Sequence, residues 1–220
     1  MNLQEERKAW KKGYKFVVGI DEAGRGSGAG PVIAAAVLVV LNIKTKEPEF
    51  KEVFKYLLDS VNDSKKLTSL KREKLYKKLI LCPYIFWGVG RVGERIIDRI
   101  NIKNAAELAM EKALKGVEKK IKRRVDFLII DGNNLKNSEL KTYKFKLMVK
   151  ADQKVFSCAA ASIIAKVIRD GIMKKEAIIY PQYGFERNKG YLTGEHFYKL
   201  KKYGPCKIHR RSFFPIKGNF

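Results

Sequence analysis

The segment VGIDEAGRG, from Val18 to Gly26, and the apolar runs on either side of it constrain the fold most strongly. Residues 14–20 and 31–41 are rich in β-forming apolar side chains, and the glycines between them favour a turn. This arrangement predicts an antiparallel pair of strands joined by a wide loop. Two adjacent carboxylates, Asp21 and Glu22, follow the first strand. Carboxylate oxygens at a strand end are suitable ligands for a divalent metal ion.

A glycine–arginine–glycine turn follows these carboxylates at residues 24–26. Gly24 and Gly26 would allow the backbone to come close to a polyanion or a sugar, because they carry no side chain. Arg25 can donate two parallel hydrogen bonds to a phosphate. Paired carboxylates after a strand are common in solvated loops, so the pair acquires meaning only from the acids elsewhere in the chain.

The rest of the pattern alternates strands with helices. Further strands are predicted at 83–92, 125–130 and 145–150, and helices at 68–81, 104–121, 155–178 and from Thr193 to the Gly204-Pro205 stop. This order predicts an α/β fold, in which a central sheet is flanked by helices and followed by a small helical extension. The predicted regions are a short basic N-terminal segment at 1–13, a main domain at 14–178 and a basic C-terminal extension at 179–220.

Two more aspartates follow predicted strands. Asp131 comes after the strand at 125–130, and Asp152 comes after the strand at 145–150. Neighbouring strand ends in an α/β sheet converge on one edge, where four carboxylates would repel one another unless they were protonated or balanced by cations. Two divalent ions would balance them and create a site for phosphodiester hydrolysis. Each aspartate alone is better explained as a turn former or a helix cap, and only their joint placement after strands favours a metal site. Asp170 competes for the fourth place, but its position inside a helix favours a structural ion pair or cap.

Composition limits the class of protein. Of the 220 residues 45% are hydrophobic, which is enough for a substantial core and excludes a disordered polycation. The 47 Lys and Arg residues outnumber the 23 Asp and Glu residues, and the formal net charge is +24. A charge of this size predicts salt-sensitive attraction to a polyanion. A lysine-rich source organism is the alternative explanation for part of the excess.

The cysteines and the termini exclude several other classes. Cys82, Cys158 and Cys206 are widely spaced and form no paired pattern, which argues against a structural zinc site. Cys158 lies among small apolar residues and is predicted to be buried. The charged N-terminus lacks the apolar stretch of a secretory signal, and no apolar run approaches the roughly 20 residues needed to cross a bilayer. We expect a cytoplasmic protein without membrane association and take a monomer as the default.

The string GIDEAGRG resembles the signature of ribonuclease HII, the type 2 ribonuclease H family. The resemblance covers nearly the whole chain. Further matches follow in order: DSKKL at 63–67, IDGN at 130–133, KAD at 150–152, AAASIIAKVIRD at 159–170, YPQYGF at 180–185, NKGYLTGEH at 188–196 and HRRSFFPI at 209–216. The resemblance implies a ribonuclease H-like fold with a mixed central sheet.

The resemblance also implies roles for individual residues. The four acids that would hold two Mg²⁺ or Mn²⁺ ions, and so form the catalytic centre, are Asp21, Glu22, Asp131 and Asp152. Gly24, Arg25 and Gly26 would read the ribose 2′-hydroxyl, largely through the backbone, since this group distinguishes RNA from DNA. Tyr191 would stack near the sugar after the ribonucleotide and sense the RNA-to-DNA junction. Lys65 and Lys66 would contact phosphates, although a lysine pair is often only a solvated loop.

The function implied is endonucleolytic cleavage of RNA in RNA–DNA hybrids and incision 5′ of ribonucleotides embedded in duplex DNA. The products would carry a 3′-hydroxyl and a 5′-phosphate, which suits ribonucleotide removal and primer processing. The enzymatic alternative is the type 3 family, which prefers longer RNA stretches. That family usually has an added N-terminal domain and lacks the arginine in its turn, whereas Arg25 is present here. A non-catalytic nucleic-acid-binding protein is the alternative from another class.

The region from Arg187 to Arg211 contains eight lysines and arginines interleaved with aromatic residues. Such a surface would bind a duplex backbone without reading its sequence, although a solvated helix face is the better explanation for individual lysines. His196 and His209 are the only histidines. Neither lies near the carboxylates in the sequence, so neither is predicted to be catalytic.

Overall fold

The computed structural model describes residues 3–40, 48–61 and 67–218. Lys65 and Lys66 lie outside these ranges. The described elements are α1 (Gln4–Lys11), β1 (Val17–Ala23), β2 (Val32–Val39), α2 (Pro48–Ser60), α3 (Ser69–Leu81), β3 (Ile85–Val92), α4 (Glu94–Ile121), β4 (Phe127–Asp131), β5 (Lys144–Met148), α5 (Phe156–Ile179), α6 (Phe185–Asn188) and α7 (Gly194–Tyr203), with 3₁₀ turns at Glu139–Thr142, Ala151–Gln153 and Pro181–Tyr183.

The five strands form one mixed sheet in the order β3-β2-β1-β4-β5. Strand β2 is antiparallel to both of its neighbours, β1 and β3. Strand β4 runs parallel to β1, and β5 runs parallel to β4. The α/β fold with a mixed central sheet is therefore confirmed. Because β1, β4 and β5 point the same way, their carboxyl ends lie along one edge of the sheet.

Helices cover both faces of the sheet, and β2 shows why. All eight of its side chains are buried, and successive residues belong to different cores. Ile33, Ala35 and Val37 pack with α5 on one face, whereas Ala34 and Leu38 pack with α4 on the other. The small side chains of Ala34 and Ala35 allow the helices to approach closely.

The first strand is longer than predicted. β1 continues to Ala23, which pairs with Ile33 of β2. Asp21 and Glu22 therefore lie inside the strand, whereas the sequence placed them after its end. The antiparallel ladder therefore fixes the backbone from which the two carboxylates project.

Four helices differ from the sequence prediction. Helices α1, α2 and α6 were not predicted, and α4 begins ten residues earlier than expected. α4 is interrupted at Asn101, whose φ of +65° is left-handed, and the Asn101 side chain accepts the Asn104 N–H at 3.1 Å. This bond caps the second part of the helix, which is why the periodic pattern begins at 104.

The N-terminal helix α1 supports α5. Glu6 is fully buried, and its Oε1 accepts hydrogen bonds from the Ser157 backbone N–H at 2.9 Å and the Ser157 hydroxyl at 2.7 Å. A carboxylate at this position satisfies the first turn of α5 and interacts favourably with its dipole. α5 also packs closely on β1, since a side chain at Gly19 would overlap Ser157 and Cys158. Cys158 is buried, as predicted.

Candidate functional site

Three of the four predicted acids meet at the carboxyl edge of the sheet. Asp21 lies in β1, Asp131 ends β4, and Asp152 lies in the 3₁₀ turn after β5. One carboxylate oxygen from each lies within 4.8 Å of the others. Asp21 and Asp152 are almost completely buried. The parallel arrangement of these strands brings the three residues together although they are far apart in the sequence.

Neighbouring groups fix the orientation of the carboxylates. The Glu22 N–H donates to Asp21 Oδ1 at 2.7 Å, and the Ser162 hydroxyl of α5 also donates to Asp21. Asp131 Oδ1 accepts the Ala151 N–H at 3.1 Å, so the strand end and the 3₁₀ turn are tied together. Ser162 was not predicted as a site residue. It lies on the face of α5 that covers β1, which periodicity alone does not reveal.

Burial and mutual repulsion act on these acids. The pKa of Asp21 is raised well above its ordinary value, first by burial and then by the negative charges of Glu22 and Asp131. Burial also raises the pKa of Glu22, and Arg25 opposes that rise. Anionic oxygens crowded in a buried site are stabilised by cations. The all-oxygen donor set is the type that Mg²⁺ and Mn²⁺ prefer.

Glu22, the fourth predicted acid, does not join the cluster of three. Its Oε1 accepts a hydrogen bond from Arg25 Nη1 at 3.0 Å. Its Oε2 is buried and has no hydrogen-bond partner within the described part of the chain. This oxygen is available for a ligand, since a buried carboxylate oxygen is costly to leave unpaired.

The glycine–arginine–glycine turn lies beside Tyr191. Both line a cavity of about 410 Å³ whose walls also include Glu22, Arg72, Ser162 and Lys166. Arg25 in addition borders a second cavity of about 350 Å³, which is lined by Lys103, Glu107, Asn133, Asn134 and Lys136 among others. A substrate strand passing Arg25 would therefore have polar and basic groups on either side.

Two buried arginines support the turn, and neither was predicted to do so. Arg169 of α5 donates to the carbonyl oxygens of Pro31, Lys189 and Ala29 at 3.0–3.1 Å. The Arg210 guanidinium donates to the carbonyl oxygens of Gly24, Arg25 and Gly30 at 2.7–3.0 Å. Burial lowers the pKa of Arg210 to about 9, and the nearby Arg169 charge adds to this effect.

The position of Gly24 explains why this residue has no side chain. Its φ is +96°, which is left-handed, and a Cβ atom there would overlap the Arg169 guanidinium. Arg210 was wrongly counted among the surface cations of the C-terminal extension, because its side chain is fully buried.

The environment of Tyr191 is basic. Its ring centroid lies 5.6 Å from Lys166 Nζ and 5.7 Å from Arg169 Cζ, and the side chain is 40% exposed. Lys166 also forms an ion pair with Asp170 at 2.8 Å. The prediction that Asp170 forms a structural ion pair is therefore confirmed. Within the described ranges, the carboxylate cluster does not include Asp170.

Comparisons with known proteins agree with this geometry. A family model for ribonuclease HII matches residues 18–215. Ribonuclease HII from Caldanaerobacter subterraneus subsp. tengcongensis is 44% identical over 208 residues, which cover 94% of this chain and 78% of that protein. Among solved structures, ribonuclease H2 from Pyrococcus horikoshii OT3 superposes with a TM-score of 0.70 at 26% identity and covers 91% of this chain and 95% of that chain.

The fold is also shared with more distant proteins. Bst-RNase HIII, solved in complex with Mn²⁺, has a TM-score of 0.66 at 19% identity, covering 92% of this chain and 68% of that chain. At this identity the likeness concerns the fold alone. The family model and the sequence relatives are more specific, and they show that this chain belongs to the ribonuclease HII family and is a ribonuclease H, an endoribonuclease that acts on RNA–DNA hybrids.

Proposed function

We propose that this ribonuclease H incises the strand 5′ of a single ribonucleotide embedded in duplex DNA, as well as cutting longer hybrids. The observation that supports the proposal is the position of the glycine–arginine–glycine turn. It lies directly after Asp21 and Glu22 in the chain and shares a cavity with Tyr191. A ribose held against this turn would lie beside the carboxylates. The recognised 2′-hydroxyl and the phosphodiester cleaved on the 5′ side of the same nucleotide would therefore lie close together.

The acidic residues fit a pair of divalent cations, for which we propose Mg²⁺ or Mn²⁺. Asp21, Asp131 and Asp152 would hold them, and Glu22 would add its buried, unpaired oxygen. When bound, such ions activate a water molecule as the nucleophile and stabilise the charge on the leaving oxygen. The Mn²⁺ complex of Bst-RNase HIII supports this choice of metal for a protein of the same fold.

The protein groups around the ions would position the reacting atoms. Ser162 and the Glu22 N–H hold the Asp21 carboxylate, and Ala151 holds that of Asp131. Arg25 can shift from Glu22 to a phosphate oxygen, because both are anionic acceptors for its guanidinium. Attack of a water oxygen on the phosphorus would break the P–O3′ bond. The leaving 3′ oxygen would take up a proton from solvent and become a hydroxyl, and the phosphate would stay on the 5′ oxygen of the next nucleotide, which gives the proposed 3′-hydroxyl and 5′-phosphate products.

Backbone groups of the turn would recognise the 2′-hydroxyl, and Tyr191 would pack against the following deoxyribose. Arg210 donates to two carbonyls of the turn and Arg169 packs beneath Gly24, so the conformation of the turn is set before the substrate binds. Preorganisation of this kind reduces the ordering cost of binding. The exposed lysines of α7, Lys201 and Lys202, would contact the duplex backbone without reading its sequence.

The proposal can be tested with three duplexes that differ only in one strand: all DNA, a single ribonucleotide in DNA, and a long RNA stretch. We expect a nick on the 5′ side of the single ribonucleotide with Mg²⁺ or Mn²⁺, and no product with EDTA or with all-DNA duplex. Cleavage of the long hybrid alone would contradict the proposal and indicate type 3 specificity. Tight binding without any metal-dependent product would indicate a binding protein.

A further inference from the structure

A buried pair of histidines lies next to Tyr191, outside the carboxylate cluster. His196 of α7 and His209 of the C-terminal segment are 0% and 2% exposed, and their Nε2 atoms are 3.0 Å apart. His196 Nδ1 is 2.9 Å from the Tyr191 carbonyl oxygen. His209 Nδ1 accepts the Cys206 backbone N–H at 2.9 Å. The rings of Tyr183 and Phe185 contact both imidazoles.

The partners of the two rings determine where the protons are. The Tyr191 carbonyl can only accept, so His196 Nδ1 carries a proton and its Nε2 is an acceptor. The Cys206 N–H can only donate, so His209 Nδ1 is an acceptor and its Nε2 carries the proton. The His209 Nε2–H group therefore donates to His196 Nε2. The result is a continuous chain of hydrogen bonds from Cys206 to Tyr191 in which both imidazoles are neutral.

The same segment is attached to the glycine–arginine–glycine turn. Arg210 follows His209 directly, and its side chain donates to the carbonyls of Gly24 and Arg25. Its backbone N–H donates to the Gly28 carbonyl at 2.8 Å, and His209 pairs with Ala29 as an isolated bridge. Adjacent residues of one segment thus connect to the turn on one side and to Tyr191 on the other.

We propose that the His196–His209 pair is a positioning element for specificity: it holds Tyr191 at a fixed distance from the turn and so favours a single ribonucleotide over a long hybrid. This inference rests on the proposed function. A single ribonucleotide is followed by a deoxyribose, so its recognition needs the turn and Tyr191 to fit adjacent sugars at the same time. A long hybrid presents a ribose at both places and depends less on this spacing. Small misplacements at such a site cost rate.

The test compares His209→Phe with His209→Gln in the full-length protein. Phenylalanine keeps an aromatic ring but removes both nitrogens, whereas glutamine retains an N–H₂ group that can donate to His196. Single-turnover cleavage at saturating enzyme is measured on the single-ribonucleotide duplex and on the long hybrid. We expect the ratio of the two rates to fall about tenfold in His209→Phe, the effect of losing one buried hydrogen bond, and to recover largely in His209→Gln.

Two further variants separate positioning from stability. Leu114→Ala removes a buried side chain from α4, which packs on the opposite face of the sheet from α5, and should destabilise the protein without changing the ratio. His196→Asn keeps a donor for the Tyr191 carbonyl but loses the contact with His209, and should lower the ratio even if His209→Phe does not fold. An unchanged ratio in folded His209→Phe or His196→Asn, or an equal change in Leu114→Ala, would overturn the inference. If the wild-type protein cannot cut the single-ribonucleotide duplex, the proposed function itself fails.

Discussion

At the scale of the single residue, Arg169 and Arg210 are unusual because they are fully buried and hydrogen-bonded to backbone carbonyls. A planar guanidinium can donate to several carbonyl oxygens in fixed directions, which an ammonium group cannot do. Each arginine reaches three carbonyls, and together they connect α5, the C-terminal segment and the turn at 24–26. We interpret them as the scaffold of the turn at 24–26.

This interpretation predicts that Arg210→Lys is not a conservative change. Lysine would leave carbonyls of Gly24, Arg25 or Gly30 without a donor in a buried site, at a cost of about 2–3 kcal/mol in the free energy of unfolding. Cleavage of the single-ribonucleotide duplex should also slow. Urea unfolding and single-turnover rates would measure the two effects. Arg211→Lys, at the neighbouring exposed position, is the matched control and should be nearly neutral. Equal stability of the two variants would contradict the scaffold role.

At the scale of the element, the distance between α4 and β3 depends on two glycines. A Cβ atom at Gly88 or Gly90 would overlap the carbonyl oxygens of Ala113 and Ala109 in α4. Backbone cannot move aside as a flexible side chain can, so these positions set how closely the helix covers the sheet. The opposite case is Gly171 in α5, where a Cβ atom would meet nothing within 4 Å.

The pair Gly90→Ala and Gly171→Ala should therefore shift stability in opposite directions. We expect Gly90→Ala to destabilise the fold by about 1–3 kcal/mol through overpacking. Gly171→Ala should stabilise it by about 0.5–1 kcal/mol, because alanine is the better helix former in open space. The midpoints of urea unfolding would show this. If Gly90→Ala were neutral, the close approach of α4 to β3 would not be needed for stability.

The sequence predicted the strands better than the helices. The alternation of apolar runs with turns located all five strands. The helices predicted at 68–81, at 104–121, at 155–178 and after Thr193 correspond to α3, the second part of α4, α5 and α7. Helix α1 escaped prediction because its decisive contact, from Glu6 to Ser157, joins residues 151 positions apart. The extension of β1 to Ala23 depends on pairing with β2, which local propensity does not contain.

The same distinction holds for the site. The carboxylates and the glycine–arginine–glycine turn were identifiable because each has a local pattern, and the sheet topology then explains why Asp21, Asp131 and Asp152 meet. Sequence reasoning missed Ser162, Arg169 and Arg210. Their roles depend on which face of α5, or of the C-terminal segment, packs against residues 21–26, and local sequence does not reveal that face. The division at residues 13 and 178 stays a prediction, and so do the phosphate contacts of Lys65 and Lys66.

At the scale of the whole molecule, the histidine pair makes stability depend on pH. Burial lowers the pKa of His209 to about 3, and the adjacent His196 contributes to the shift. Cys206, Tyr183 and Arg211 are the other titratable groups near it. Since the ordinary pKa is 6.5, the unfolded chain binds a proton below pH 6.5 that the folded protein excludes. Stability is therefore retained above pH 6.5 and lost as the pH falls from there towards 3.

We expect wild-type protein to lose about 2 kcal/mol more unfolding free energy than His209→Phe between pH 7 and pH 5. The phenylalanine variant lacks the group that takes up the proton, so its stability should vary less over this interval. Urea titrations of both proteins at the two pH values would give the difference. Parallel pH dependences would show that His209 does not exclude a proton in the folded state.

Net charge also acts at the scale of the whole molecule. With +24 charges, affinity for any duplex should fall steeply with salt, because binding releases counterions from the phosphates. Replacing Lys201 and Lys202 together by glutamine should reduce the slope of log affinity against log salt by about 2. Lys119→Gln in the last turn of α4, at the other end of the sheet from the carboxylates, is the control and should leave the slope unchanged. No change in the double variant would exclude α7 from the duplex-binding surface.

Within the described ranges, none of the helices has the length and apolar character needed to span a membrane.

The most direct test of the central claim, that the clustered aspartates carry out metal-dependent cleavage, is the single-turnover rate of Asp21→Asn with its duplex affinity measured in parallel. Asparagine keeps the size of the side chain but removes the negative charge that a divalent ion needs. We expect cleavage with Mg²⁺ or Mn²⁺ to fall by about a hundredfold to a thousandfold, the range for losing a major electrostatic element of an active site. Affinity for the hybrid should remain within about threefold of wild type, since the binding surface is intact. Wild-type cleavage by Asp21→Asn would contradict the account.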